Sequence, residues 1–553
     1  MSNRRAVGTI LAVLALAAWA TTLRADQTVT QVYPGITYIA RSETVPRPVR
    51  MKILVIDLTA PGIRFKLTPP GANLPAPAVD SKMCDWPLVP YEVVRQPTLD
   101  FLNASHGQAA INVHFFAPFP NPPGASQTAY AYLIGLAASR GNVYSAFETP
   151  VQNYAIVTDV PAVNIDAANN AGIVHRDPGF ADGLHVQEDV QLWNALAGSA
   201  QIVTNGVKTI PEYLDATHPN GLLTPGGARC SATVYNNSNS WYNAINARTA
   251  IGLTQDRKLV LFTVDRAGGS QGMRVGEVAD LLIRDYAVQD ALNLDGGGST
   301  TMALQDPVTL VRSVVNVSSE AGNVPRSEGS SFAVYSDAEL PVTAATVSPA
   351  ANEHGWNNTP VTVALDATDL ATGLSGTFPG WVDQLEYFLS GAQPGDTQVV
   401  SGSSTSFGVS TQGVTHVTFF ATDAADNTEA AQTIDVSLDF DPPVINGLPG
   451  DGCTLWPPNH KLQQVATVTA TDAVSGVASL VVTGTSTEPA VPGESDIAVT
   501  PDGSGGQVVA LRAERLGTGP GRFYTLTATA TDVAGNVATV TATCGVPHDQ
   551  RKK

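Results

Sequence analysis

The chain is poor in cysteine, in cations and in long apolar runs. Only four of its 553 residues are Cys. None sits at a Cys-x-x-Cys or metal-finger spacing, which argues against thiol redox chemistry or a zinc site. Lys and Arg number 30 against 49 Asp and Glu, for a formal net charge of −19. Such a surface repels nucleic acid and anionic membranes, so a phosphate-bearing ligand requires a local basic pocket. Beyond residue 20 no apolar stretch is long enough to cross a bilayer. A Ser-His-Asp order with a Gly-x-Ser-x-Gly elbow is also missing, which argues against an ordinary esterase.

Glycine and proline are abundant, at 49 and 38 residues, and only 14% of residues are charged. This composition suits strands joined by turns, and the length predicts several domains. Residues 1–25 read as a signal peptide. Arg4 and Arg5 precede a short apolar run from Ala6 to Ala20, with small-residue cleavage points after Ala20 or Ala25. The expected location is therefore secreted or cell-envelope, with no integral membrane domain after signal removal. Export permits disulfides. Cys453 pairs naturally with Cys544 and Cys84 with Cys230 if each bridge stays within one domain, although four cysteines allow three connectivities.

The most informative stretch is Asn293-Leu294-Asp295-Gly296-Gly297-Gly298-Ser299-Thr300-Thr301-Met302. It ends an apolar run that starts at Ala291. Upstream, Lys258–Val264 reads as a buried strand, and Val275, Val278, Ala279, Leu282 and Ile283 recur at helical spacing. Strand, helix and strand in that order predict a parallel crossover unit delivering Asp295 to the carboxyl end of a sheet. The glycines allow positive φ and close approach, so the loop is either an anion cradle or an ordinary Asp-Gly turn. It is neither a Walker loop nor a dinucleotide fingerprint.

Residues 293–302 resemble the hallmark of the phosphodiester glycosidase family. Ala247-Arg248-Thr249-Ala250-Ile251-Gly252-Leu253 is similar to that family's Arg-Thr-Ala-Ile-Gly strand. Ala110-Ile111-Asn112-Val113-His114-Phe115-Phe116 is similar to its Ile-Asn-Gly-Gly-Phe-Phe strand end, with Val113 and His114 replacing the glycines. The resemblance covers roughly residues 30–337. It implies a hydrolase of sugar-1-phosphodiester bonds acting on a glycan or sugar-phosphate polymer, with no nucleic-acid partner. The expected fold is an α+β (mixed α/β) catalytic domain over 30–337.

A sugar phosphodiester needs donors for its phosphate oxygens, help for the leaving group and a route for water. Gly296, Gly297, Gly298, Ser299 and Thr300 are the candidate donors. Arg248 is a candidate bidentate phosphate contact or else a structural ion pair. Arg326 is a second anchor. Asp295 is the candidate for proton, water or metal chemistry, against the reading of a turn-capping acid. Asn293 shares its strand face. Asn112 is a candidate orienting group, and His114 shares a face with it, as acid–base catalyst or structural histidine. The acids near residues 159–189, Asp295 and His114 show no diagnostic metal spacing, so the metal stays open and no cofactor is required.

After Pro341 helical periodicity vanishes and an Ala-Thr-Asp unit recurs at Ala367, Ala421, Ala470 and Ala530. Two copies per domain predict two all-β immunoglobulin-like sandwiches, at 341–440 and 441–550, with the Asp residues bonding turn amides. Calcium binding by these acids is the lesser alternative. The competing function is a non-catalytic carbohydrate-binding or surface-adhesion protein that keeps the same fold.

Overall fold

The computed structural model describes residues 26–75, 90–117, 129–147, 160–210, 222–223, 235–236, 242–490 and 492–549. The leader, Cys84, Cys230, Asp159, the prolines at 118–123 and most of 208–243 lie outside the described residues. The chain forms two compact units, one of residues 1–338 with 372–377, the other of 339–371 with 378–553.

The first unit is built of strands. Its largest sheet has eight, in the order Asp26–Tyr33, Ile36–Glu43, Val49–Asp57, Lys258–Val264, Arg248–Thr254, Val288–Asn293, Ala200–Thr204 and Val207–Lys208. Every neighbouring pair is antiparallel. The middle strands read as near-continuous apolar runs because both their faces are buried, as in the Lys258–Val264 burial pattern. The helix Val275–Tyr286 covers one face with Val275, Val278, Ala279 and Leu282, at the spacing expected. Glu277 accepts from the Arg274 amide at 2.7 Å and closes the helix start, and Ala287 ends it at φ 53°.

The expectation of a mixed α/β domain is overturned. Among the described residues there are two α-helices, Thr98–Ser105 and Val275–Tyr286, and the rest of the regular structure is almost wholly strand. The strand–helix–strand order is present, and Lys258–Val264 and Val288–Asn293 do run the same way. Arg248–Thr254 lies between them, antiparallel to both. Local periodicity reported each element correctly, but pairing is decided by strands distant in sequence.

A five-stranded antiparallel sheet brings Arg312–Val314, Met302–Gln305, Ala109–Asn112, Ser331–Ser336 and Ile63–Leu67 together. It starts where the eight-stranded sheet leaves off: the loop after Asn293 leads into Met302–Gln305, which pairs with Ala109–Asn112.

The second unit holds two sandwiches with separate cores. In one, Val361, Val363 and Leu365 pack against Leu385, Val417, Phe419 and Val436 from the facing sheet. In the other, Val468, Val509 and Leu511 meet Tyr524, Leu526, Ala528 and Val546. Cys453 and Cys544 sit on paired strands 4.6 Å apart at Cα and are disulfide-bonded, as expected from sequence.

Closing a 91-residue separation should stabilise the last sandwich by about 4 kcal/mol. Replacing both cysteines by Ala is expected to lower its calorimetric transition and leave that of the first unit in place. An unchanged transition would show that the bridge adds nothing.

Candidate active site

The site forms where the two large sheets meet. Asp295, at the end of the Val288–Asn293 strand, is 3% exposed. Asn112 ties it down: its Nδ2 donates to the Asp295 carbonyl at 2.7 Å. Its Oδ1 accepts from the Thr301 amide and the Thr249 hydroxyl, both at 3.0 Å. One amide side chain thus fastens the loop to strands of both sheets. Asn293 is fully buried and donates to Ser199 Oγ at 2.7 Å, while its Oδ1 has no hydrogen-bond partner among the described residues.

Beside Asp295 stands Glu328, an acid not singled out from sequence. It is 2% exposed and held in place by reciprocal backbone bonds with Gln96, at 3.2 and 2.9 Å. Among the described residues, neither of its carboxylate oxygens makes a hydrogen bond of normal geometry. Burial raises the pKa of both acids, and the Asp295 charge raises Glu328 further. Two adjoining buried carboxyls resist ionising together, so the pair retains a proton where ordinary carboxylates have lost theirs. Ser299 and Arg326 temper the rise at both, and the Gly296 amide does so at Asp295 alone. Arg95 lowers Glu328 as well, yet Glu328 stands well above its ordinary value and the Asp295 charge raises it further, which makes it the natural holder of the proton.

Arg326 donates through Nη1 to Ser299 Oγ at 3.3 Å and pairs through Nη2 with Glu320. Its charge acts on Asp295, Glu328 and Glu320. Arg95 lies behind Glu328, its guanidinium 4.8 Å over the Phe116 ring and donating to the Ser327 carbonyl at 2.8 Å.

Two sequence candidates sit elsewhere. Arg248 is fully buried and donates to the backbone carbonyls of Met273, at 3.1 Å, and Ala244. Burial lowers its pKa to about 9, with Arg266 adding to the fall and Tyr242 and Glu277 opposing it. His114 lies within bonding distance of Ser330 Oγ at 2.8 Å and, through Nε2, of the Leu136 carbonyl and Ala197 amide, each at 3.0 Å. Burial pushes its pKa down to about 4, so it is neutral at physiological pH and cross-links strands.

The glycine loop folds partly on itself. Gly297 takes φ 64°, and its amide donates to the Ala247 carbonyl at 2.9 Å. The Ser299 and Thr300 amides donate to Gly296 and Gly297 carbonyls, each at 3.3 Å. Those three amides are therefore engaged within the fold.

Glu328 had one signal in the sequence: an acid two residues beyond a rare arginine, directly before the fully buried strand Ser331–Ser336. Asp265 had less. It is 1% exposed and burial raises it to about 6. It accepts from Asn316 Nδ2 at 3.2 Å, while Asn316 also holds the Thr300 carbonyl and Met302 amide.

In the second unit Asp439, Asp472 and Asp532 bring carboxylate oxygens within 4.8 Å of one another. Their oxygens accept from turn amides, such as Asp472 Oδ1 from Val474, Ser475 and Gly476. This is the turn-capping use expected of the Ala-Thr-Asp units.

Residues 134–335 match the model of the phosphodiester glycosidase family. The match includes the 247–253 and 293–302 segments, Arg326 and Glu328, whereas Asn112 and His114 precede it. The chain is 42% identical over 168 residues to the human N-acetylglucosamine-1-phosphodiester alpha-N-acetylglucosaminidase, covering 26% of this chain and 32% of that protein. The bovine protein of that name is 41% identical over 162 residues, covering 25% of this chain and 31% of its own length. The chain therefore spans about a third of the length of these curated relatives. The zebrafish catalytic domain of that name, auto-inhibited by its pro-peptide, aligns at 17% identity and TM-score 0.35, covering 56% of this chain and 88% of that one.

The acid pair makes a stability prediction with a definite sign. Both folded-state values are raised above the ordinary 3.8 and 4.5, so the stabilising protonated state is present below those values and is lost as pH rises through the raised ones. Glu328→Gln removes one charge, so the thermal midpoint of the variant relative to wild type should climb steadily from pH 5 to pH 9. A difference independent of pH would mean that the two acids are not coupled.

Proposed function

We propose that the first unit hydrolyses sugar-1-phosphodiester bonds in envelope or extracellular glycans, and that the protein is exported to reach them. The observation that carries this reading is the buried Asp295–Glu328 pair beside the Arg326 guanidinium. The names of the human and bovine relatives supply the substrate class. Export is supported by the leader sequence. Among the described residues no helix is long and apolar enough to cross a membrane.

In this reading the two acids divide the proton work. Glu328, protonated, donates to the departing oxygen. Asp295, ionised, takes a proton from the incoming water. Arg326 holds the phosphate oxygens, and Ser299 links it to Asp295. Asn112 is a positioning residue, since every bond it makes is to the loop or the strand beneath it. The two sandwiches serve as a spacer or a glycan-binding stalk.

The test is to incubate the full chain with a panel of sugar-1-phosphodiesters and measure release of free sugar and phosphomonoester. Asp295→Asn and Glu328→Gln should each lower turnover by about a hundredfold or more with the fold retained. Arg326→Ala should chiefly raise KM. Glycan binding without turnover of any member of the panel would favour the adhesion reading. The acid limb of the rate profile should lie above pH 3.8, the ordinary carboxyl value, because Asp295 must ionise against burial. An acid limb at or below that value would remove Asp295 from the role of base.

A further inference from the structure

Glu320 has no part in the proton chemistry, yet its carboxylate rests on the glycine loop. A Cβ added to Gly298 would fall 1.8 Å from Glu320 Oε1 and 2.5 Å from Arg326 Nη2. A side chain there would have to displace the Glu320 carboxylate. The Glu320 carboxylate therefore lies where the loop backbone and the Arg326 guanidinium converge, with Ser299 Oγ on the other guanidinium nitrogen. An oxyanion of a ligand held by Arg326 would compete for that same place.

The way Glu320 is held marks it as exchangeable. Its side chain keeps 35% of its surface exposed and Arg326 keeps 22%, whereas Glu328 is 2% exposed. Among the described residues, the side-chain bond recorded for Glu320 is the one to Arg326. Its backbone belongs to a short turn bonded to itself: the Glu320 amide donates to Ser318 Oγ, the Asn323 amide to the Glu320 carbonyl, and Ser318 Oγ to the Val324 carbonyl. A partly solvated ion pair is held less firmly than a buried one, and a displaced Glu320 carboxylate can turn to water. With Asp295 and Glu328 close by, Arg326 faces three acids, and Glu320 is the one free to leave.

We propose that Glu320 is a built-in counter-anion: it occupies the Arg326 anion slot in the ligand-free protein and is displaced by the phosphate group of the ligand. It thereby makes phosphate binding weaker than the bare slot would allow and helps eject the phosphomonoester product. This rests on the reading of Arg326 as the phosphate anchor.

The experiment is calorimetric titration of the full chain with inorganic phosphate, comparing wild type, Glu320→Gln, Glu320→Ala and Arg326→Ala. Both Glu320 variants should bind phosphate about tenfold more tightly than wild type, the effect of removing one competing charge from a partly screened site. Arg326→Ala should lose the binding. If Arg326→Ala loses it but the Glu320 variants bind no more tightly than wild type, the anchor stands and the counter-anion role is overturned. If all four proteins respond alike, Arg326 is not the anchor, and both readings fall together.

Discussion

Two carboxyl groups with too little water around them constrain the rest of the first unit. Asp295 and Glu328 come from chain segments more than thirty residues apart, and keeping them side by side works against their mutual repulsion and their burial. Asn112 fastens the Asp295 loop between two sheets. The Gln96 backbone pins Glu328, and Arg326 and Ser299 bridge toward both. A carboxyl pair that shares a proton under such constraint is prepared for acid–base work, and that preparation lowers stability as pH rises.

Scarcity of cations makes the disposition of the few arginines decisive. Arg248 belongs to the segment most like the family pattern, yet its guanidinium satisfies backbone carbonyls. Arg326 acts on both Asp295 and Glu328, and Arg95 adds to it at Glu328. With a net charge of −19, the phosphate binding proposed here would depend on one local cationic slot. Leaving such a slot open to any anion would hinder product release, which is the problem the proposed Glu320 counter-anion would address.

The second unit solves a different problem. Its sandwiches are closed by alternating strands such as Gly413–Asp423, where buried and exposed residues alternate along the strand. Aspartates at the turns take up backbone amides that would otherwise be left without partners. The disulfide adds a constraint on the unfolded chain of the last sandwich.

Local pattern was enough to locate the helix at Val275–Tyr286, the strands on either side of it and the sandwich strands with their Asp turns. Each depends on neighbours in sequence or on a repeat that is visible in the sequence. The loop at 293–302 was legible for the same reason, as a glycine-rich exit from an apolar run. Tertiary structure decided the rest. It placed Arg248–Thr254 between two strands that local order had paired, and so turned an expected α/β domain into antiparallel sheets. It closed His114 and Arg248 into hydrogen bonds with distant backbone, and it set Glu328 against Asp295. Burial and electrostatic coupling depend on which distant segments exclude water from a side chain, and no spacing along a single chain records that.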